Sequence, residues 1–225
     1  MIPLSDERRP AGFAPAVWAI VAASAYVYWR EIDAPRVDYV INEFALVPYN
    51  FTHGIQLPPP SPHPFFLTIV TSMFLHGGFL HLFFNMLFLL VFGPRMERSL
   101  GHGGFLLTYL VCGIAGGLAQ IWSAPGSHIP DIGASGAIAG ILGAFIVSYP
   151  TAVINTVTPI GCFPLLLRLP AVLVIGLWAA MQFFLGFQTL DPRANQGGTA
   201  YFAHIGGFAC GAILTGLRNR RHGAA

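Results

Sequence analysis

The stretch "IGASGAIAGILGAFIVSY", Ile132–Tyr149, holds no charged side chain. It is apolar all the way round. A helix of that kind lies either in the core of a large protein or in lipid, and about 20 such residues cross a bilayer's hydrocarbon. Composition decides between the two. Of 225 residues, 55% are hydrophobic and 9% charged, against about 25% charged in soluble domains. Mean hydropathy is +0.65. Lipid is the solvent for much of this chain.

Five further stretches approach spanning length: Gly12–Trp29, Phe79–Phe92, Phe105–Trp122, Pro170–Phe187 and Thr199–Leu217. The second is short as drawn, with an earlier start near Phe65 open to it. None alternates with period two, which argues against a membrane β-barrel. Helices satisfy their own backbone groups in lipid, so the expected fold is an all-α, polytopic bundle of six transmembrane helices. Residues 1–11 read as a short cytoplasmic segment, 12–217 as the bundle and 218–225 as a cytoplasmic tail. The polar Met1–Gly12 segment does not read as a cleavable signal.

Six helices place both termini on one side. That side then holds Arg8, Arg9, Arg95, Arg98, Arg168, Arg218, Arg220 and Arg221, and the other holds Arg30, Arg36 and Arg193. The excess predicts both termini in the cytoplasm. A long outer loop, Arg30 to Pro64, contains "PPPSPHP" (Pro58–Pro64), which cannot be continuous helix. The fifth loop, "QTLDPRANQGGT" (Gln188–Thr199), is rich in turn formers. A net charge of +2 is too small to argue for nucleic acid.

Small residues recur every four positions, at Gly113 and Gly117, Gly136 and Gly140, and Gly207 and Gly211. That spacing lets membrane helices approach closely. Cys112, Cys162 and Cys210 fit neither CxxC nor a Cys/His metal spacing and read as small buried hydrophobes. H-E-x-x-H is absent. His76, His81 and His204 lack a carboxylate or cysteine to complete a metal site, and the other five histidines read as surface groups. No metal and no cofactor is expected.

Polar groups inside apolar spans are rare enough that each needs a reason. His81 and Asn85 stand at i and i+4 on one helix face. Ser135 opens the fourth span and His204 lies near the start of the sixth. In the topology above all four fall toward the outer end at similar depth. A serine hydroxyl needs a base to take its proton, and a neutral histidine is one. Acyl transfer also needs donors aimed at a developing oxyanion. Asn85 offers an amide, His81 a ring N–H, and Ser135 its own backbone N–H near a helix start. Gly133 and Gly136 would let a substrate backbone come close. No acid lies in the spans around these residues, so Ser135 and His204 read as a dyad, with His204 oriented by packing or backbone. The G-x-S-x-G elbow fails because Ala137 holds its last position.

At these residues the chain resembles the rhomboid family of intramembrane serine proteases. "FLHGGFLHLFFNM" (Phe74–Met86) is similar to the family's H-x-x-x-N signature, "FGPRMERSLGHGGFLLTYL" (Phe92–Leu110) to its inner-loop segment, with Gly93, Glu97, Gly101 and Tyr109 in place, "GASG" (Gly133–Gly136) to its nucleophile motif, and "AHIGGFACG" (Ala203–Gly211) to its A-H-x-x-G-x-x-x-G. The resemblance implies a Ser135–His204 dyad with His81, Asn85 and the Ser135 N–H as oxyanion hole, in a water-filled cavity open to the outer face. It implies cleavage of single-spanning membrane proteins in or near their span, with Gln182 to Thr199 as gate and cap. Two features depart from some relatives. The region before the second span reads "PFFLTIV" where they carry a Trp-Arg pair, and Ala139 stands where they stack an aromatic on the histidine. By analogy, so compact a form belongs to a prokaryotic cell (inner) membrane. Two other readings compete: a non-catalytic relative that binds membrane clients, and a small transporter, for which no internal repeat appears.

Overall fold

The structure is a computed structural model that describes residues 1–8, 12–34, 37–61, 64–160, 163–190 and 199–223. Cys162, Arg36, Arg193 and His63, and most of the fifth loop, lie outside them. The elements in chain order are β1 (Ile2–Asp6), α1 (Pro15–Asp33), α2 (Val37–Phe44), α3 (Pro48–His53), α4 (Thr68–Thr71) flanked by single 3-10 turns, α5 (Phe79–Leu100), α6 (His102–Ser123), α7 (Ser135–Ser148), β2 (Val153–Ile160), β3 (Phe163–Pro170), α8 (Ala171–Gln188) and α9 (Tyr201–Gly223). The six apolar stretches correspond to α1, α5, α6, α7, α8 and α9. Helix α9 runs on past the expected boundary at Leu217.

Among the described residues, α5, α6 and α8 are long and apolar enough to cross a membrane, and α7 is a shorter apolar helix. The chain is an integral membrane helical bundle. Helix α7 is its axis, with every residue from Gly136 to Phe145 buried. Its 14 residues span about 21 Å, less than the bilayer's hydrocarbon of about 30 Å. A helix ringed by other helices need not match lipid, and its shortness leaves room ahead of Ser135.

Backbone contact holds α7, α9 and α6 together. A Cβ at Gly207 would overlap the carbonyl oxygen of Gly136, and one at Gly211 that of Gly140. A Cβ at Gly116 would lie 2.6 Å from the Ala203 carbonyl oxygen. The four-residue glycine spacing is therefore a close-packing device here. Gly136 belongs to it: its α-carbon faces Ala203 rather than leaving space for substrate.

One element departs from the all-α expectation. Strands β1, β2 and β3 form an antiparallel sheet in that order. It joins the end of α7 to the start of α8. Asp6 pairs with Arg95 of α5 at 3.0 Å, and Glu7 pairs with Arg168 of β3. Arg218 of α9 donates to the Ser99 carbonyl at 2.7 Å. Arginines assigned to one side from sequence thus gather at one end of the bundle, beside the N-terminus.

Helix α1 is fixed at one end to α5 and at the other to the turn that precedes α5. No side chain of its own caps its first turn. Instead the Glu97 carboxylate of α5 accepts from the Ala16 and Val17 N–H groups, each at 2.9 Å, and Glu97 is buried. At the other end, the buried Glu31 carboxylate accepts from the His76 and Gly77 N–H groups, each at 3.0 Å.

Candidate active site

Helices α5, α7 and α9 all begin at the end of the bundle opposite the sheet. Their first turns therefore bring His81, Ser135 and His204 together, as the sequence predicts. These three, with Asn85, line one cavity of about 600 Å³. Ser135 Oγ lies 2.7 Å from His204 Nε2. The other ring nitrogen, Nδ1, lies 2.7 Å from Oε1 of Gln182 on α8. Both Gln182 and His204 are buried, at 5% and 8% exposure. The ring of Trp178, one turn before Gln182, stands 5.8 Å from the His204 ring, centroid to centroid. The support missing at Ala139 comes from α8. A buried side-chain amide thus meets the second ring nitrogen of the histidine.

Asn85 is buried, and its Nδ2 has no partner. It is a donor with a place for an acceptor. The Ser135 N–H opens α7 and is one of the helix's orphan donors. Gly133, just ahead, has φ +119°, where side chains are disfavoured. A Cβ there would also sit 2.7 Å from His81 Nε2. Gly133 thus clears room for the His81 ring.

His81 differs from the expectation in one respect. Its Nδ1 lies 2.8 Å from the His76 carbonyl. A carbonyl can only accept, so the ring's Nδ1 proton points there. A neutral His81 then shows the cavity a lone pair at Nε2, and it donates there only as the doubly protonated ring. Glu31 holds the turn that aims this carbonyl, since it binds the N–H of His76 itself. His76 lines the cavity too, with Nδ1 3.0 Å from the Phe74 carbonyl and Nε2 buried without a partner. Burial, with His81 beside it, pushes the His76 ring down to about 4, so it is neutral near pH 7.

Asp131 stands at the cavity wall in the loop before α7. Its backbone pairs with Leu46, the two N–H···O bonds measuring 2.8 and 3.1 Å. Burial lifts its carboxyl to about 7. Among the described residues no cluster of three metal-ligating side chains forms.

Sequence reading missed Gln182 as a site residue, and missed Trp178 and Glu31 altogether. Gln182 stood there only as the first residue of a gate. The signal was available: a lone amide in an apolar run, one turn after a tryptophan.

The family model described as "Rhomboid domain" matches residues 64–221. The chain is 40% identical over 132 residues to "Putative rhomboid protease YdcA" of Bacillus subtilis, covering 59% of this chain and 61% of that one. It is 32% identical over 151 residues to "Rhomboid protein 1, mitochondrial" of Saccharomyces cerevisiae, covering 65% and 40%. Over 78 residues it is 46% identical to "Rhomboid protease GluP" of Bacillus subtilis, covering 35% and 15%. The matched region spans 61% or less of these relatives' own lengths.

Proposed function

We propose that this chain, which belongs to the rhomboid family, is an intramembrane serine endopeptidase that cleaves transmembrane proteins in or near their span. The observation that carries the reading is the 2.7 Å contact between Ser135 Oγ and His204 Nε2 in the cavity wall. As the Ser135 oxygen bonds to the substrate carbonyl carbon, its proton passes to His204 Nε2. The carbonyl oxygen becomes an oxyanion, met by Asn85 Nδ2 and the Ser135 N–H, with His81 Nε2 joining in the protonated ring. Collapse breaks the C–N bond, and the His204 proton goes to the leaving amine. Water in the cavity then gives its proton to His204 and attacks the acyl-enzyme. Breakdown of that second oxyanion returns the proton to Ser135.

The membrane arrangement belongs to the same proposal. Six helices span, both termini face the cytoplasm, and the cavity opens outward. The arginines gathered beside the N-terminus support that orientation. Residues 1–11 and 218–225 flank the protease bundle on the cytoplasmic side, in a prokaryotic inner membrane.

The experiment is cleavage of a model transmembrane substrate in liposomes, with serine labelling by a fluorophosphonate. Ser135→Ala is expected to abolish both. A Ser135→Ala protein that still cuts at the wild-type rate would sink the mechanism.

A further inference from the structure

We propose that Gln182 is a positioning residue that fixes the tautomer and direction of the His204 ring, so that the base is competent only while α8 lies against α9. This rests on the Ser135–His204 reading and adds a third side chain to it. An amide oxygen accepts and never donates. With Oε1 2.7 Å from Nδ1, the single proton of a neutral ring sits on Nδ1. Nε2 is then bare, and it is the atom 2.7 Å from Ser135 Oγ. In the other tautomer Nε2 carries the proton and cannot take one from the serine. Gln182 thus selects the working form.

The ring's surroundings leave this task to Gln182. The titratable side chains that share the cavity with His204 are His76, His81 and Asp131, and the α7 side chain on its ring is Ser135. Among the described residues, the side chains hydrogen-bonded to the ring are Gln182 and Ser135, and neither is a carboxylate. Helix α8 holds it at two points, Gln182 at its Nδ1 edge and Trp178 beside its face. Close contact keeps α8 there: a Cβ at Gly186 would lie 3.0 Å from Ile205 and 3.2 Å from Tyr201. A hydrogen bond of this kind is lost beyond about 3.5 Å, so a small outward shift of α8 frees the ring. Widening of the bundle at α8 and proton transfer are then mutually exclusive.

Two variants test it in the full chain. Gln182→Met removes the acceptor at similar volume, and Gln182→Glu keeps an oxygen at Nδ1. The Met variant is expected to lower kcat by about 10- to 100-fold, a share of the ~10²–10⁴ that general acid–base catalysis supplies. KM and the thermal unfolding midpoint should stay near wild type, with fluorophosphonate labelling of Ser135 slowed in parallel. The Glu variant is expected to keep labelling and to move the acid limb of the rate profile to higher pH, because an adjacent carboxylate favours the protonated ring. A Met variant with wild-type kcat and pH profile overturns the inference. So does a Glu variant whose acid limb does not move, and that arm decides if the Met variant does not fold. Ser135→Ala and His204→Ala separate the two levels: if they still cleave, the dyad itself is wrong. If they are dead while Gln182→Met is unaffected, only the role of Gln182 falls.

Discussion

Asp131 shows what burial does to one side chain beside the cavity. Unfolded, an aspartate ionises near 3.8, whereas in the fold this carboxyl holds its proton to about 7. Between those values the folded protein binds the extra proton, so its stability falls as pH rises. Above about 7 the fold must carry a charge in partly dehydrated surroundings. Asp131→Asn removes this dependence. Thermal unfolding in detergent at pH 5 and pH 8 is expected to show a wild-type midpoint that drops across the interval more than the variant's does. Equal drops would refute it.

At this scale much of the site was legible. His81 and Asn85 declared themselves by helical spacing, and Ser135 and His204 by being polar in apolar runs. Gln182 did not, because its meaning depends on how α8 rotates against α9, which no local spacing encodes. Glu31 was hidden differently. It sits at the end of an apolar stretch, where a charge reads as solvated, yet it binds backbone from 45 residues away.

Among the elements, α9 carries two kinds of glycine. At Gly211 a Cβ would strike the Gly140 carbonyl, whereas at Gly216 nothing lies within 4 Å. Overpacking against backbone costs about 1–3 kcal/mol, while glycine to alanine in an open helical position gains roughly 0.5–1 kcal/mol. Gly211→Ala is therefore expected to lower the unfolding midpoint and Gly216→Ala to hold or raise it. Identical behaviour would show that the α7–α9 contact is looser than described.

The six long helices were legible as apolar runs, though α7 begins three residues later than its run. The sheet was not. Strand β2, "VINTVTPI", has β-branched residues without clean alternation, and β3, "FPLLLRLP", is apolar but for Arg168 and carries a proline near each end. The pairing of β2 with β1 also joins residues more than 140 positions apart in the chain.

For the molecule as a whole, the family match begins at residue 64, yet the part before it is built in. Glu97 reaches from α5 to the start of α1, Glu31 reaches from α1 back to the turn before α5, and Leu46 pairs with Asp131. Hydrogen bonds to a charged group contribute about 1.5–3 kcal/mol each. Glu97→Ala is expected to cost on the order of 3 kcal/mol, read as a lower unfolding midpoint, with activity restored in part by Glu97→Gln. A wild-type midpoint would mean that α1 is held by its apolar face alone.

The glycine seam between α7 and α9 and the cavity wall differ in how freely they can vary. Where two backbones touch there is no side chain to exchange, so the seam is closed to variation. The half formed by α5 and α8 is lined by Phe84, Phe88 and Trp178, side chains that can be traded for others. Under the proposed activity, selection for a new cleavage preference has its raw material on that half. The seam keeps Ser135 and His204 in register while the opposite wall changes.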